Sequence, residues 1–265
     1  MPFLHVVRRV AGAIALFWLV VTLIFGLVRL APGDPVTLLV PPTASAADAA
    51  RMRLELGLDR PVSVQYARWA SALLRGEMGE SFALRVPVAT ALRDAAPVSL
   101  LLGLVSLLLS FAIGVPLGFA QAAWRARWPD RAATMVTAGL FAAPAFWVAL
   151  ALVAVFTYGA AVVGLPMAWR LPALGVRSPG LDLSGPAATA DLLRHAVLPV
   201  VTLVIVGAAG VARYARSNAL DVISHDFIRA ARARGASPWR VFARHVVPNA
   251  LPALLVLFAL TIPGV

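Results

Sequence analysis

An all-α, polytopic membrane fold is predicted by this sequence, and three observations carry the prediction. Hydrophobic residues make up 61% of the 265 positions, with a mean hydropathy of +0.86, whereas ordinary soluble domains are roughly 45–50% apolar. Five stretches, 10–28, 97–124, 132–169, 195–212 and 245–265, contain no Asp, Glu, Arg or Lys, and each approaches or exceeds the ~20 residues that cross a bilayer as a helix. The cations are also gathered into a few short segments between those stretches. Lipid cannot hydrogen-bond the backbone, so apolar segments of this length are helical. A soluble protein with buried helices does not account for so large an apolar surplus.

Arg8-Arg9 precede the first stretch, as in a signal peptide. However, its 19 residues exceed the usual ~7–15 of a signal core, and no small-x-small cleavage site follows directly. It is read as a retained helix within residues 1–30, ended by Arg29-Leu30-Ala31-Pro32-Gly33-Asp34-Pro35. Residues 31–96 form an external region. There Asp48 to Leu58 reads as a short amphipathic helix with Gly57 near its end, Leu58-Asp59-Arg60-Pro61 as a turn, and Val62 to Leu74 as a second helix. Apolar faces this small do not support a separate domain, so the region is expected to pack on the outer ends of the spans.

Residues 97–265 form the core, spans two to five. In span two, Gly103, Ser106, Ser110 and Gly114 recur at three- and four-residue spacing and share a face. Small residues there let a neighbouring helix approach closely; the same face could also line a translocation path. Pro116 and Pro144 are read as kinks inside spans. The third stretch is too long for one crossing, and Tyr158-Gly159 or Gly164-Leu165-Pro166 are places for its helix to stop.

Charge sets the expected orientation. With the N-terminus inside, the inner segments hold twelve Arg against Asp130, Asp221 and Asp226, while 31–96 and 170–191 are each neutral. Positive residues collect in short cytosolic loops, so the N-terminus is expected to be cytosolic. Topology thereby accounts for the net charge of +11, and nucleic-acid binding is not needed to explain it. Without cysteine, disulfides and thiolate metal sites are excluded. The spans hold no Asp or Glu, whereas ion-coupled carriers place an ionisable group near mid-membrane. No GxxxxGK[ST] occurs, so the chain builds no P-loop. Catalytic, cofactor-binding and metal-binding residues are expected to be absent, and energy for any transport must come from another subunit.

The candidate functional segment lies within 213–247. Ser224 is read as the cap of a helix through His225-Asp226-Phe227-Ile228, with Asp226 at its positive end and Arg229, Arg232 and Arg234 toward its C-terminus. Gly235 fits the left-handed stop. Ser237-Pro238 then cap a second short helix through Trp239-Arg240-Val241-Phe242-Ala243. Ala230 and Ala231 offer a flat, close-packing surface. On physics alone the partner is open: anionic headgroups attract such arginines by about 1 kcal/mol each, and a protein groove would serve as well.

At these residues the chain resembles the transmembrane permease subunits of ABC importers. Their cytosolic signature is Glu-Ala-Ala, three residues, Gly, nine residues, Ile-x-Leu-Pro. Ala230, Ala231, Gly235 and Pro248 match at that spacing, with Arg229, His245 and Val247 replacing Glu, Ile and Leu. Residues 29–35, Leu56-Gly57-Leu58-Asp59-Arg60-Pro61-Val62 with Gln65-Tyr66, Ala143-Pro144-Ala145-Phe146-Trp147, Leu193-Arg194-His195-Ala196-Val197-Leu198-Pro199, and Arg232-Ala233-Arg234-Gly235 with Arg244-His245 resemble its dipeptide/oligopeptide/nickel branch.

The resemblance implies half of an import channel in a bacterial inner membrane, non-catalytic in itself. It implies a second permease, two ATP-binding subunits that hold ATP and magnesium, and an extracytoplasmic solute-binding protein as partners. Arg229, Ala230, Ala231, Arg232, Arg234, Gly235, Trp239, Arg240 and Pro248 would form the ATPase-coupling element. Peptides are the default substrate; nickel chelates and glutathione-like solutes are the alternatives, and an ATPase-independent secondary carrier is the rival of another class. The branch is expected to have six spans, so a chain with five is expected to be truncated.

Overall fold

The computed structural model describes residues 2–30, 36, 45–81, 83–166, 169–181 and 184–264. The turn sequence at 31–35 lies outside the described residues. No strand occurs among those described, and five helices are long and apolar enough to cross a membrane: Leu4–Leu30, Val88–Ala123, Ala145–Val162, Gly185–Ser224 and Pro238–Gly264. The chain divides into two compact units, Met1–Ala95 and Ala96–Val265.

The first unit holds α1 (Pro2–Leu30), α2 (Ala46–Glu55) and α3 (Val62–Leu74). A capping box starts α2: the Ser45 hydroxyl accepts from Asp48 N–H and the Asp48 carboxylate accepts from Ser45 N–H. The Ser45 hydroxyl and backbone hold the Asp48 carboxyl below the usual carboxylate range. Gly57, at φ +64°, makes the left-handed turn after α2. Gln65 Nε2 then donates to Arg60 O (2.7 Å) and Leu58 O (3.3 Å), which fixes the turn before α3. The expected docking of this region on a span end is observed within the unit. Tyr66 and Trp69 of α3 pack on Phe25 of α1 with ring centroids 5.3 and 5.2 Å apart, and the Thr22 and Tyr66 hydroxyls are 2.6 Å apart.

From Val88 the chain runs as α4 (Val88–Ala123), whose Pro97 and Pro116 lie inside the helix. The second unit contains the rest of α4, then α5 (Trp128–Ala142), α6 (Ala145–Val162), α7 (Gly185–Ser224), α8 (Asp226–Ala233) and α9 (Pro238–Gly264). The small-residue face of α4 packs on α7. A Cβ at Gly114 would lie 2.7 Å from Ala208 O, one at Gly118 2.3 Å from Ala212 O, and one at Gly207 2.5 Å from Ser110 Oγ. Close helix contact is thus the role of Ser110, Gly114 and Gly118. Gly103 and Ser106, together with Ser110, line a cleft of about 460 Å³ that Thr261 also borders, and the Ser106 hydroxyl is buried without a partner among the described residues.

Three sequence expectations are corrected. Pro144 is a break, not a kink: Ala143 is extended (φ −70°, ψ 129°) because a residue before proline avoids the α region, so α5 and α6 are separate helices. The helix does not stop at Tyr158-Gly159 either. It widens into a π segment over Ala154–Gly159 and ends before Gly164, at φ +73°. The widened turn leaves Phe156 O for Leu171 N–H (3.1 Å), and the Thr157 hydroxyl donates to Leu171 O (2.7 Å). The fourth span is also longer than its apolar run: residues 213–224 continue α7 to its fortieth residue. At its other end Asp191 accepts from Ser178 N–H (2.8 Å) and Oγ (2.7 Å), and His195 Nδ1 lies 2.8 Å from Asp191 O, tying the preceding loop to α7.

Candidate functional site

The helix, hinge and helix of 224–246 are observed, with changed boundaries. Ser224 is the last residue of α7, where its hydroxyl donates to Asp221 O (2.7 Å), so it is no cap; His225 holds the N-cap position of α8 without a side-chain capping bond, its Nδ1 lying 3.0 Å from Asp221 O instead. The kink at His225 (ψ 151°) separates α8 from α7. Gly235, at φ +82°, ends α8, and no atom lies within 4 Å of the Cβ it lacks. Its requirement is therefore conformational: L-residues pay ~1–2 kcal/mol for the left-handed region. Ser237 caps the next helix through Arg240 N–H (3.4 Å), with Pro238 in its first turn. That helix is not a separate short one. It passes through a π turn at Phe242–Val246 directly into the fifth span. Pro248 explains the turn: it has no N–H for Arg244 O, and Val247 N–H reaches back five residues to Phe242 O. Asn249 Nδ2 takes His245 O at 2.6 Å.

α8 has two distinct faces. Ile228 (0% exposed) and Ala231 (3%) enter a core with Phe119 and Ala122 of α4, Ala215, Ala219 and Val222 of α7, and Val241, Val246, Ala250 and Leu254 of α9. Arg229, Ala230, Arg232 and Arg234 are exposed, as are Trp239 and Arg240 across the hinge. Arg229 donates to the Asp226 carboxylate one turn back, which offsets one positive charge on this face.

The predicted residues therefore separate. Arg229, Ala230, Arg232, Arg234, Gly235, Trp239 and Arg240 form one outward surface around the hinge. Ala231 leaves the set, because it is packed inside the chain's own core. Pro248 also stands apart, nine residues beyond Trp239 and so about 13 Å further along α9 at 1.5 Å per residue; its part is to shape the helix.

Two features were missed by the sequence reading. Arg216 grips Asp130 through Nε (2.9 Å) and Nη2 (3.0 Å). Asp130 also accepts from Ala126 N–H (3.1 Å) and the Thr134 hydroxyl (3.1 Å), so one carboxylate joins α5, the turn before it and α7. The Arg216 hydrogen bond, against the opposing effect of burial, holds the Asp130 carboxyl below the usual carboxylate range, helped by Ala126 and Thr134. The second feature is a cavity of about 690 Å³ beside the hinge, bordered by Trp124, Arg125, Arg232, Trp239 and Phe242. Neither had a local signal: Asp130 and Arg216 are 86 residues apart. No group of His, Cys, Asp and Glu suited to a metal ion occurs among the described residues.

Comparison with known proteins fits this architecture. Residues 114–265 match the family described as "Binding-protein-dependent transport system inner membrane component", and residues 2–103 match its N-terminal region. The chain is 33% identical to the glutathione transport system permease protein GsiC of Salmonella paratyphi A, over 97% of this chain and 76% of that one. It is 36% identical to a probable peptide ABC transporter permease protein, y4tP, of Sinorhizobium fredii, over 98% and 80% of the two chains. Against the oligopeptide transport system permease protein AppB of Bacillus subtilis it is 33% identical, over 98% and 79%. With five membrane-length helices, matches along nearly its whole length and relatives of one kind, the chain belongs to the binding-protein-dependent transport inner membrane components, as a multi-pass permease subunit of an ABC importer.

Proposed function

We propose that this subunit forms half of an import channel with its N-terminus in the cytosol, and that the outward surface around Gly235 seats on an ATP-binding subunit. The observation that carries the reading is the two-faced α8: one face is exposed and cationic, while the other is locked into the core shared by α4, α7 and α9. An element so built can receive a push on one side and pass it to three spans on the other, as coupling between sites requires. The inner position of this surface follows from the twelve arginines of its side of the chain.

The complete importer under this reading pairs the chain with a second permease and two ATP-binding subunits that hold ATP and magnesium. An extracytoplasmic solute-binding protein delivers the substrate. The chain itself contributes no catalytic group. Peptides are the proposed substrate class, since relatives are named as peptide, oligopeptide and D,D-dipeptide permeases. The relatives named for glutathione transport favour a second reading, a short thiol peptide.

The test is a Gly235→Trp variant in the assembled importer, in proteoliposomes with the binding protein. A bulky indole on the outward surface should leave membrane insertion intact and separate ATP hydrolysis from uptake. Uptake and hydrolysis both at the parent level would overturn the docking role. Substrate flux driven by an ion gradient without the ATP-binding subunits would support a secondary carrier instead.

A further inference from the structure

We infer that a cavity between α4, α7 and the loop before α7 is a subsite for the C-terminal residue of a peptide substrate. The side chain of that residue enters the cavity, its carboxylate meets Arg177, and its N–H donates to His195 Nε2. The inference rests on the proposed peptide reading and on the cytosolic N-terminus, which puts this end of both helices where substrate arrives. The cavity measures about 400 Å³, within the ~300–1,000 Å³ of small-molecule sites. Pro97 and His195, which open the apolar runs of spans two and four, both border it. Val98, Leu101, Leu102, Leu192, Leu193 and Pro199 supply most of its apolar wall. Among the described lining residues only Arg177 and His195 carry a polar side chain.

Both polar groups are held in place by the chain's own bonds. His195 is buried, and its Nδ1 lies 2.8 Å from Asp191 O. A carbonyl oxygen only accepts, so Nδ1 carries the proton, and in the neutral ring Nε2 is left as an acceptor. Nε2 has no hydrogen-bond partner among the described residues. The Asp191 carboxylate, 3.6 Å from Nδ1, stands on the other side of the ring. Arg177 is exposed and takes part in no ion pair among the described residues. The loop that carries it is pinned to α7, because Ser178 donates to Asp191 through both N–H and Oγ. Gly175, at φ +79°, makes the turn into it. A donor-only cation, an acceptor nitrogen and an apolar wall complement the three parts of a peptide's last residue. A fatty acid would match the cation and the wall, but it has no N–H for Nε2.

Photolabelling of the assembled importer in nanodiscs, without ATP or binding protein, reads the site directly. The probe is a glycyl dipeptide ending in a diazirine analogue of leucine, and mass spectrometry locates the label. It should fall on 97–102 and 192–199. In competition, Gly-Leu should outcompete its C-terminal amide about fivefold, as for an exposed ion pair. It should outcompete Gly-Gly at least about tenfold, for burial of the side chain, and its ester-linked analogue, which lacks the N–H, about fivefold. R177Q should abolish the preference for acid over amide, and R177K should keep most of it. H195N retains an amide N–H for Asp191 O but has no Nε2, so it should lose only the preference over the ester. Label elsewhere overturns the subsite, as does an acid preference unchanged in R177Q or competition by oleate equal to that of Gly-Leu. ATP-driven uptake of Gly-Leu, measured in parallel with binding protein, separates the two readings. Uptake without label at these segments overturns the subsite alone, whereas absence of uptake for every peptide overturns the peptide reading and the subsite with it.

Discussion

Gly118→Ala should destabilise the permease although alanine is the better helix former. The missing Cβ at Gly118 would fall 2.3 Å from Ala212 O and 2.7 Å from Ala215 Cβ, and Ala212 and Ala215 are both fully buried. A backbone oxygen cannot rotate aside. Restoring an ordinary 3.4 Å contact requires about 1.1 Å of separation between α4 and α7. That movement also loosens the Gly114–Ala208 and Gly207–Ser110 contacts on the same face. Overpacking of this kind costs about 1–3 kcal/mol, with backbone clashes toward the upper end. Helix propensity returns at most about 1 kcal/mol, leaving a net loss of about 1–2 kcal/mol by difference. Gly12→Ala is the internal control, since no atom lies within 4 Å of its Cβ position; there the propensity gain stands alone, up to about 1 kcal/mol. Thermal unfolding in mild detergent should move the two variants in opposite directions. Equal shifts of the same sign would refute the close-approach account of the α4–α7 face.

Ile228→Ala should cost about 2–5 kcal/mol, the range for emptying a fully buried aliphatic site, and should expose α8 to limited proteolysis before the spans unfold; protection equal to the parent's would contradict the core assigned to it. Asp130→Asn should leave the guanidinium of Arg216, about one quarter exposed, without its counter-charge, at a cost of about 2–3 kcal/mol, below the 3–5 kcal/mol of fully buried pairs. The sign with pH follows from the lowered carboxyl. Its contribution is complete above the unfolded-state value near 3.9 and disappears as pH falls through the folded-state value. Acid melts of parent and Asp130→Asn should therefore differ most above about pH 4 and draw together progressively as pH falls below it; a difference that does not shrink as the pH falls would refute the carboxylate's role.

What the sequence disclosed was local. The α3 bounds Val62–Leu74, the left-handed Gly235 and the Ser237-Pro238 start all rest on chemistry within a few residues, and all three are observed. The small-residue face of α4 was equally legible, because periodicity names a face without naming its partner. Hydropathy misled where it was asked about hydrogen bonding. Arg213 and Arg216 end an apolar run, but they do not end a helix, and α7 continues to Ser224. Pro144 could not be classed from sequence, because whether a helix bends or breaks depends on whether neighbours re-satisfy its backbone groups. The outward surface was legible in composition but not in membership. Ala230 and Ala231 are adjacent in sequence, yet a helical step of about 100° turns one outward and the other into the core.

That step decides how a force on the surface can travel. Ile228 and Ala231 share a core with residues of α4, α7 and α9, and cores packed to crystal density transmit displacement instead of absorbing it. Gly235 gives the chain a bend without giving α8 freedom, because Val241 and Val246 beyond the hinge enter the same core. α8 and the start of α9 are thus fastened on both sides of the bend. The Arg216–Asp130 pair extends the connection to α5, which α4 does not reach through this core. The Gly114 and Gly118 contacts then bind α4 to α7 beyond the core's edge. A push on the outward arginines accordingly meets a lever of four joined helices. The compliant places are the widened turns at Ala154–Gly159 and Phe242–Val246 and the break at Pro144, where the regular helical ladder is interrupted. The π turn of α9 lies between α8 and the fifth span, and the break at Pro144 lies between α5, which the Arg216–Asp130 pair ties to α7, and α6.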